Sequence, residues 1–310
     1  MTGRSIAQSD MTSRAWIELT LLAVIWGASF FSIAIALQEM GPVTAVLHRV
    51  FWAALVLWVV VSWLGLAVPK DPRIWGAFLI MGLLNNVIPF TLMSWGQTQI
   101  ETGLVSIFNA TTALFGVLIA AMVFRDERLN LRKLTGIGLG VFGVAVISGV
   151  SDLFSLDLRS LGQLAVLAGA LSYGLASSWA KLTLKGHHPV VAAAGMLTGS
   201  SIVMIPVTFA LEGVPSLNLS FEVWTAITYY ALLATAGAYL LYYRVLAMAG
   251  AGNLMLCTLM IPPIAILLGW MFLGEQLEME SLLGFLLISL GLVVIDGRIL
   301  RTIRPTTTAP

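Results

Sequence analysis

Long apolar runs, each closed by a few polar or turn-forming residues, recur along the whole chain. A helix needs about 20 apolar residues to cross the hydrocarbon core of a bilayer. Ten segments approach or exceed that length: 16–36, 45–64, 74–95, 102–124, 134–150, 161–184, 190–211, 224–246, 254–273 and 281–295. The runs are too long for strands and do not alternate between apolar and polar positions. The connections are short and carry turn and charge signals, among them Pro69-Lys70-Asp71-Pro72, Asp126-Glu127-Arg128 and Gly186-His187-His188-Pro189. The pattern predicts an all-α integral membrane protein of ten transmembrane helices with no soluble domain. Arg4 and Arg14 precede the first run, which ends Ala34-Ile35-Ala36 and so resembles a cleavable signal peptide. That run is longer than the apolar region of about 7–15 residues in a signal peptide. It is read as a retained span.

Composition agrees. Hydrophobic residues make up 59% of the chain and charged residues 10%, against about 45–50% and about 25% in an ordinary globular domain. So few charges could not cover the surface of a soluble fold of this length. The net charge is +1 and no basic tract runs along the chain, so nucleic acid is not an expected partner. Cys257 is the sole cysteine, which excludes an intramolecular disulfide and a cysteine-based zinc site. His48, His187 and His188 form no ligand cluster with a carboxylate, so no metal or cofactor is expected. The phosphate-binding pattern G-x-x-x-x-G-K-[ST] is absent, so this chain alone does not use ATP.

The basic residues orient the spans. With the N-terminus inside, Arg159 alone falls on the outer side and Arg49 alone within a span. Every other lysine and arginine falls on the inner side. This matches the positive-inside rule and places both termini, with tails 1–15 and 298–310, in the cytoplasm.

The chain also repeats itself. Displaced by 148 positions, Phe124, Glu127, Leu134, Gly136, Gly143 and Gly149 fall on Phe272, Glu275, Leu282, Gly284, Gly291 and Gly297. Near the start of each half, Trp26-Gly27 pairs with Tyr173-Gly174 and Pro42-Val43 with Pro189-Val190. Each half, 16–150 and 161–297, holds five spans. Five is odd, so the second half enters the membrane inverted. Accordingly, Arg125, Arg128, Arg132 and Lys133 map onto Leu273, Gln276, Glu280 and Ser281. Inverted repeats about a midplane site are an architecture of secondary transporters.

Two five-helix halves, Trp26-Gly27 in the first span, Pro42 and Arg49 about the start of the second, and Glu127 and Glu275 before glycine-rich spans resemble the EamA-type drug/metabolite transporter superfamily. The resemblance covers about residues 16–297. Within the superfamily the chain resembles the bacterial aromatic amino-acid and paraquat exporters. The resemblance implies a ten-helix basket with spans 1, 3, 4, 6, 8 and 9 around a central cavity, and a structural or gating role for Arg49.

Polar groups within spans should face the interior. The candidates for substrate binding are Trp26, Asn85, Asn86, Asn109, Tyr173, Tyr239, Tyr243 and Asn253. Aromatic rings would stack on an apolar or aromatic side chain, and Asn and Thr groups would hydrogen-bond amino and carboxylate ends. The same residues also suit plain helix packing or the aromatic belts at the interfaces. Thr228, Thr235, Tyr239 and Tyr242 are spaced to share one face of the eighth span. Pro89, Pro262 and Pro263 remove backbone donors inside spans, which suits either gating bends or fixed kinks. Arg49 is read near the outer end of its span, free to snorkel outward, to pair with Glu39 or Glu101 as a latch, or to attract a substrate carboxylate. His48 is either a hydrogen bonder or a proton switch. Glu127 and Glu275 lie on opposite sides of the membrane and are expected to cap the following helix or hold a turn. The glycines of the fifth and tenth spans are read as packing surfaces, between halves or between protomers.

No Asp, Glu, Lys or Arg is expected near the centre, which favours a substrate of no net charge. The reading is a non-enzymatic secondary transporter of the bacterial inner membrane. It would export neutral amino acids, preferably aromatic or large apolar ones, by alternating access. Other small drugs or metabolites are the alternative, then a lipid translocator or a channel. A monomer is compatible with this reading.

Overall fold

The computed structural model describes residues 12–125, 127, 129–149, 157–254 and 256–297. Ten helices in it are long and apolar enough to cross a bilayer: α1 (Ser13–Ala36), α2 (Pro42–Trp63), α3 (Pro72–Gly96), α4 (Thr102–Val123), α5 (Leu131–Ser148), α6 (Leu158–Thr183), α7 (Pro189–Leu211), α8 (Phe221–Gly250), α9 (Leu256–Leu273) and α10 (Met279–Asp296). Their ends fall within a few residues of the apolar segments. No strand occurs among the described residues. Arg4, Asp126, Arg128, Arg298, Arg301 and Arg304 lie outside them.

The helix starts follow from local chemistry. Pro42, Pro72 and Pro189 open α2, α3 and α7, where a missing N–H costs no helical bond. Thr12, Asp71, Asp157 and Ser220 accept from the first-turn N–H groups of α1, α3, α6 and α8, satisfying donors that have no partner within the helix. Gly250 separates α8 from α9 with φ of 76°, a conformation that suits glycine.

Helix α5 packs on α10, α2 on α7 and α4 on α9. The remaining main contacts come in pairs: α1 on α9 with α6 on α4, α3 on α7 with α8 on α2, and α3 on α6 with α8 on α1. Exchanging the two halves maps this set onto itself, as an inverted repeat requires. The α5–α10 contact is made by reciprocal glycines. A Cβ on Gly143 would lie 2.7 Å from the Gly284 carbonyl oxygen, and one on Gly284 would lie 2.6 Å from that of Gly143. The glycine series therefore joins the two halves.

Two π-helical stretches are related by the same repeat. Leu83–Val87 lies in α3 and Tyr229–Gly237 in α8, and a displacement of 147 carries the first inside the second. Pro89 explains part of the first: the carbonyl of Leu84 would meet its ring nitrogen, which has no hydrogen. That carbonyl instead accepts from Ser172 Oγ of α6 at 2.7 Å. Extra residues in a helix turn re-aim the side chains beyond it. Thr228, which precedes the α8 stretch, is accordingly exposed and bonds back to Trp224, while Thr235 is buried. The expected shared face of Thr228 and Thr235 does not form.

One end of the bundle is acidic and the other basic. At the acidic end four carboxylates each cross between the halves. Glu39 accepts from Ser220 N at 2.8 Å, and Glu101 from Arg159 at 3.0 Å. Glu212 accepts from Val43 N and Thr44 N at 2.9 and 2.8 Å, and Glu275 from Thr102 N and Gly103 N at 2.8 and 3.2 Å. Glu212 and Glu275 thus cap helices of the opposite half, where the N-terminal dipole favours an anion. For Glu275 this corrects the expectation that it caps the helix following it. Hydrogen bonds from Ser220 hold the Glu39 carboxyl below its ordinary range, so that tie is intact at neutral pH and weakens as pH falls through the lowered value. At the basic end Glu18 pairs with Arg244 at 2.6 Å and Glu127 with Lys181 at 2.9 Å, again between the halves.

Glu275→Ala should lower the stability of the detergent-solubilised protein by about 0.5–2 kcal/mol, as expected of a lost cap. The same change at exposed Glu222, which has no such partner, should have little effect. A thermal melt of both variants checks this.

Candidate functional site

A hydrogen-bonded cluster occupies the middle of the bundle. Asn85 and Asn86 project from the π-helical stretch of α3. Asn85 Nδ2 donates to the Tyr239 hydroxyl of α8 at 3.0 Å, and that hydroxyl donates to Asn86 Oδ1 at 3.0 Å. Asn86 Nδ2 donates to Ser200 Oγ of α7 at 2.9 Å, and Ser200 in turn reaches the Met196 carbonyl at 2.8 Å. Asn86 and Ser200 are fully buried, whereas Asn85 and Tyr239 are half-buried. Three helices are joined by groups that each have a partner, which such burial demands.

Aromatic rings border the cluster. Trp26 Nε1 of α1 donates to the Ala234 carbonyl in the π-helical stretch of α8 at 3.1 Å. The Trp26 ring lies 5.9 Å from Tyr242, and Tyr242 lies 5.3 Å from Tyr243, edge to face. Tyr173 of α6 meets Phe90 of α3 at 6.4 Å. It touches both of the large apolar clusters of the bundle.

Arg49 is where the structure departs furthest from expectation. Only 9% of the residue is exposed, and it turns inward. Its guanidinium lies 3.9 Å from the centre of the Phe90 ring, and Nε donates to Thr235 Oγ1 at 2.9 Å. Neither expected latch partner meets it: Glu39 binds Ser220 and Glu101 binds Arg159. No carboxylate among the described residues pairs with Arg49. Tyr173, Tyr230 and Tyr239 are its electrostatic neighbours. The centre therefore does carry a cation, contrary to the expectation of none. A desolvated cation–π contact is worth about 2 kcal/mol, while removing a cation from water costs several kcal/mol even after relaxation. The contacts seen leave that cost only partly offset.

The other candidates are dispersed. Asn109 is half-buried on α4, with no hydrogen bond to the cluster among the described residues. Asn253 is buried at the basic end, where Nδ2 donates to the Ala249 carbonyl across the break at Gly250. Tyr243 meets the Tyr242 ring edge to face at 5.3 Å. In α9 the helix runs on through Pro262, which is buried, and Pro263, which is exposed. Pro89 is buried at the end of the α3 stretch. His48 Nδ1 accepts from Trp52 Nε1 at 3.1 Å. A pocket of about 180 Å³ lined by Trp52, Trp224, Ile227 and Thr228 opens beside that pair, away from the cluster. Ser200 and Ser172 were missed by the sequence reading, since a lone serine in a span carries no periodic signal.

Comparison with known proteins places this geometry. The model of the EamA-like transporter family matches residues 15–149 and 160–296. An uncharacterised transporter of Bacillus subtilis, YoaV, is 25% identical over 90% of this chain and 95% of its own length. A probable terminal-alkyne amino-acid exporter of Streptantibioticus cattleyicolor is 25% identical over 96% of this chain and 98% of its own. One solved crystal structure superposes with a TM-score of 0.65 at 17% identity, covering 93% of this chain and 98% of the other.

Proposed function

From the premise that the chain belongs to the EamA-like transporter family, and is thus a multi-pass membrane protein, we propose that it exports neutral amino acids with large apolar or aromatic side chains by alternating access. Family membership speaks for transport and against enzymatic chemistry. The amino-acid reading draws on the similarity to a probable amino-acid exporter and on one structural observation: the midspan cluster of Asn85, Asn86 and Tyr239 beside the rings of Trp26, Tyr173 and Tyr242. A polar cluster can hold the ends of a zwitterion, and the rings can receive its side chain.

The reading places the basic end in the cytoplasm of a bacterial cell, following the distribution of lysine and arginine. The cycle then breaks one set of cross-half ties at a time, the four carboxylate contacts outside and the Glu18–Arg244 and Glu127–Lys181 pairs inside. The substrate-binding set is Trp26, Asn85, Asn86, Asn109, Tyr173, Tyr239, Tyr243 and Asn253, with the first three, Tyr173 and Tyr239 central to it.

Counterflow tests this. Proteoliposomes loaded with unlabelled phenylalanine should accumulate labelled phenylalanine with no ion gradient, and glutamate should not substitute. Equal accumulation in protein-free liposomes, with the protein shown to be folded, would sink the proposal.

A further inference from the structure

Arg49 is a buried cation whose terminal nitrogens meet no acceptor among the described residues. Nε is bonded to Thr235, and the Phe90 ring covers one face of the guanidinium plane. No described residue accepts from its terminal nitrogens, and no described carboxylate pairs with it. Nearby Tyr230 adds a second unmet group: its hydroxyl is buried and has no hydrogen-bond partner among the described residues. The other two electrostatic neighbours, Tyr173 and Tyr239, carry the site onward, since the Tyr239 hydroxyl is bonded to Asn85 and Asn86.

Three features argue that the missing counter-ion is a ligand. The guanidinium is anchored from two sides, by α3 through Phe90 and by α8 through Thr235, so its direction is set before anything binds. It cannot shed its proton to escape burial, as a lysine can. Its free edge is the planar two-donor fork that matches a carboxylate. A structural arginine in the same position would be expected to spend that fork on a backbone carbonyl or an acidic side chain, and none is found among the described residues.

We infer that Arg49 receives the carboxylate of the transported molecule through the free edge of its guanidinium, with the side chain of that molecule toward Tyr173 and Tyr239. This rests on the transporter reading and names the chemical class of the substrate: a small organic acid or zwitterion, as opposed to an amine or an uncharged body. It also assigns a specificity role to a residue that the span pattern alone placed at the membrane interface.

The test uses the purified full chain and ligands matched in body. Phenylalanine is compared with phenylalaninamide, and indole-3-acetate with indole-3-acetamide. Binding is read from the concentration dependence of the thermal shift. The wild-type protein should bind the acid of at least one pair roughly 10- to 100-fold more tightly than the amide, the span expected of one charge-assisted contact. In Arg49→Gln that ratio should fall close to one, and in Arg49→Lys, which keeps the charge but loses the fork, it should lie between. If Arg49→Gln does not fold, Arg49→Lys carries the test alone. No preference for the acid in either wild-type pair overturns the assignment, and so does a preference that survives undiminished in the variants. An Arg49-dependent preference seen only with the indole pair keeps the carboxylate site and removes the amino-acid reading, so the two failures are told apart.

Discussion

Tyr239→Phe should lower phenylalanine counterflow about 10- to 100-fold while leaving the protein folded. The ring and its packing are kept, and only the hydroxyl is lost. That hydroxyl accepts from Asn85 at 3.0 Å and donates to Asn86 at 3.0 Å. Without it, buried Asn86 Oδ1 keeps only the longer bond from Asn85 Nδ2 at 3.3 Å, and a buried polar group left under-satisfied costs about 1–3 kcal/mol. Tenfold in rate corresponds to about 1.4 kcal/mol, which sets the range. Adjacent serines supply the internal control. Ser200→Ala removes the group that receives Asn86 Nδ2 and should impair transport in the same direction. Ser201 bonds only its own helix, to the Leu197 carbonyl, and Ser201→Ala should transport normally. Counterflow initial rates in matched proteoliposomes separate the cases. Full activity in Tyr239→Phe would take the α3–α8 cluster out of the transport path.

Gly143→Leu is expected to be the most destabilising single change. Its Cβ alone would stand 2.7 Å from the Gly284 carbonyl oxygen, with the Ile288 side chain at 2.9 Å. Backbone cannot swing aside as a flexible side chain can. Overpacking of this kind costs about 1–3 kcal/mol and occasionally more. For a chain of this length that is a fall of roughly 2–5 °C in Tm. Gly284→Leu, the reciprocal change, should do the same. Gly138→Ala, in the same helix but with open space where the Cβ would go, should be neutral or stabilise by about 0.5–1 kcal/mol through helix propensity. Melting curves of the three variants in one detergent decide the matter. A Gly143→Leu protein as stable as the wild type would mean that the α5–α10 contact is not a fixed joint between the halves.

Much of the candidate site was legible one residue at a time. Trp26, Asn85, Tyr173 and Tyr239 stand near midspan, where polar and amphipathic groups are costly to leave facing lipid. Arg49 was legible as a charge but misplaced in depth and company. Its position in the sequence, near the start of α2, suggested the interface. What draws it inward is the Phe90 ring from α3 and the Thr235 hydroxyl from α8, which lie 41 and 186 positions away. Asn253 shows the reverse case, a polar group with a local hydrogen bond to the Ala249 carbonyl.

The sequence by itself determined the ten spans, their division into two inverted halves, the acidic and basic ends and the family. Each of these depends on apolar run length, on sign of charge or on self-similarity, which are properties of the chain read in one dimension. Only the tertiary structure decided which polar groups meet. Two repeat-related π-helical stretches change the phase of α3 and α8, so a face drawn at constant helical spacing misassigns Thr228. Crossing of α2, α3, α7 and α8 then brings Arg49, Asn86, Ser200, Thr235 and Tyr239 toward one region. Neither the extra residue in a helical turn nor the point where two helices cross is written in the apolar pattern, because both are settled by packing between segments far apart in the chain.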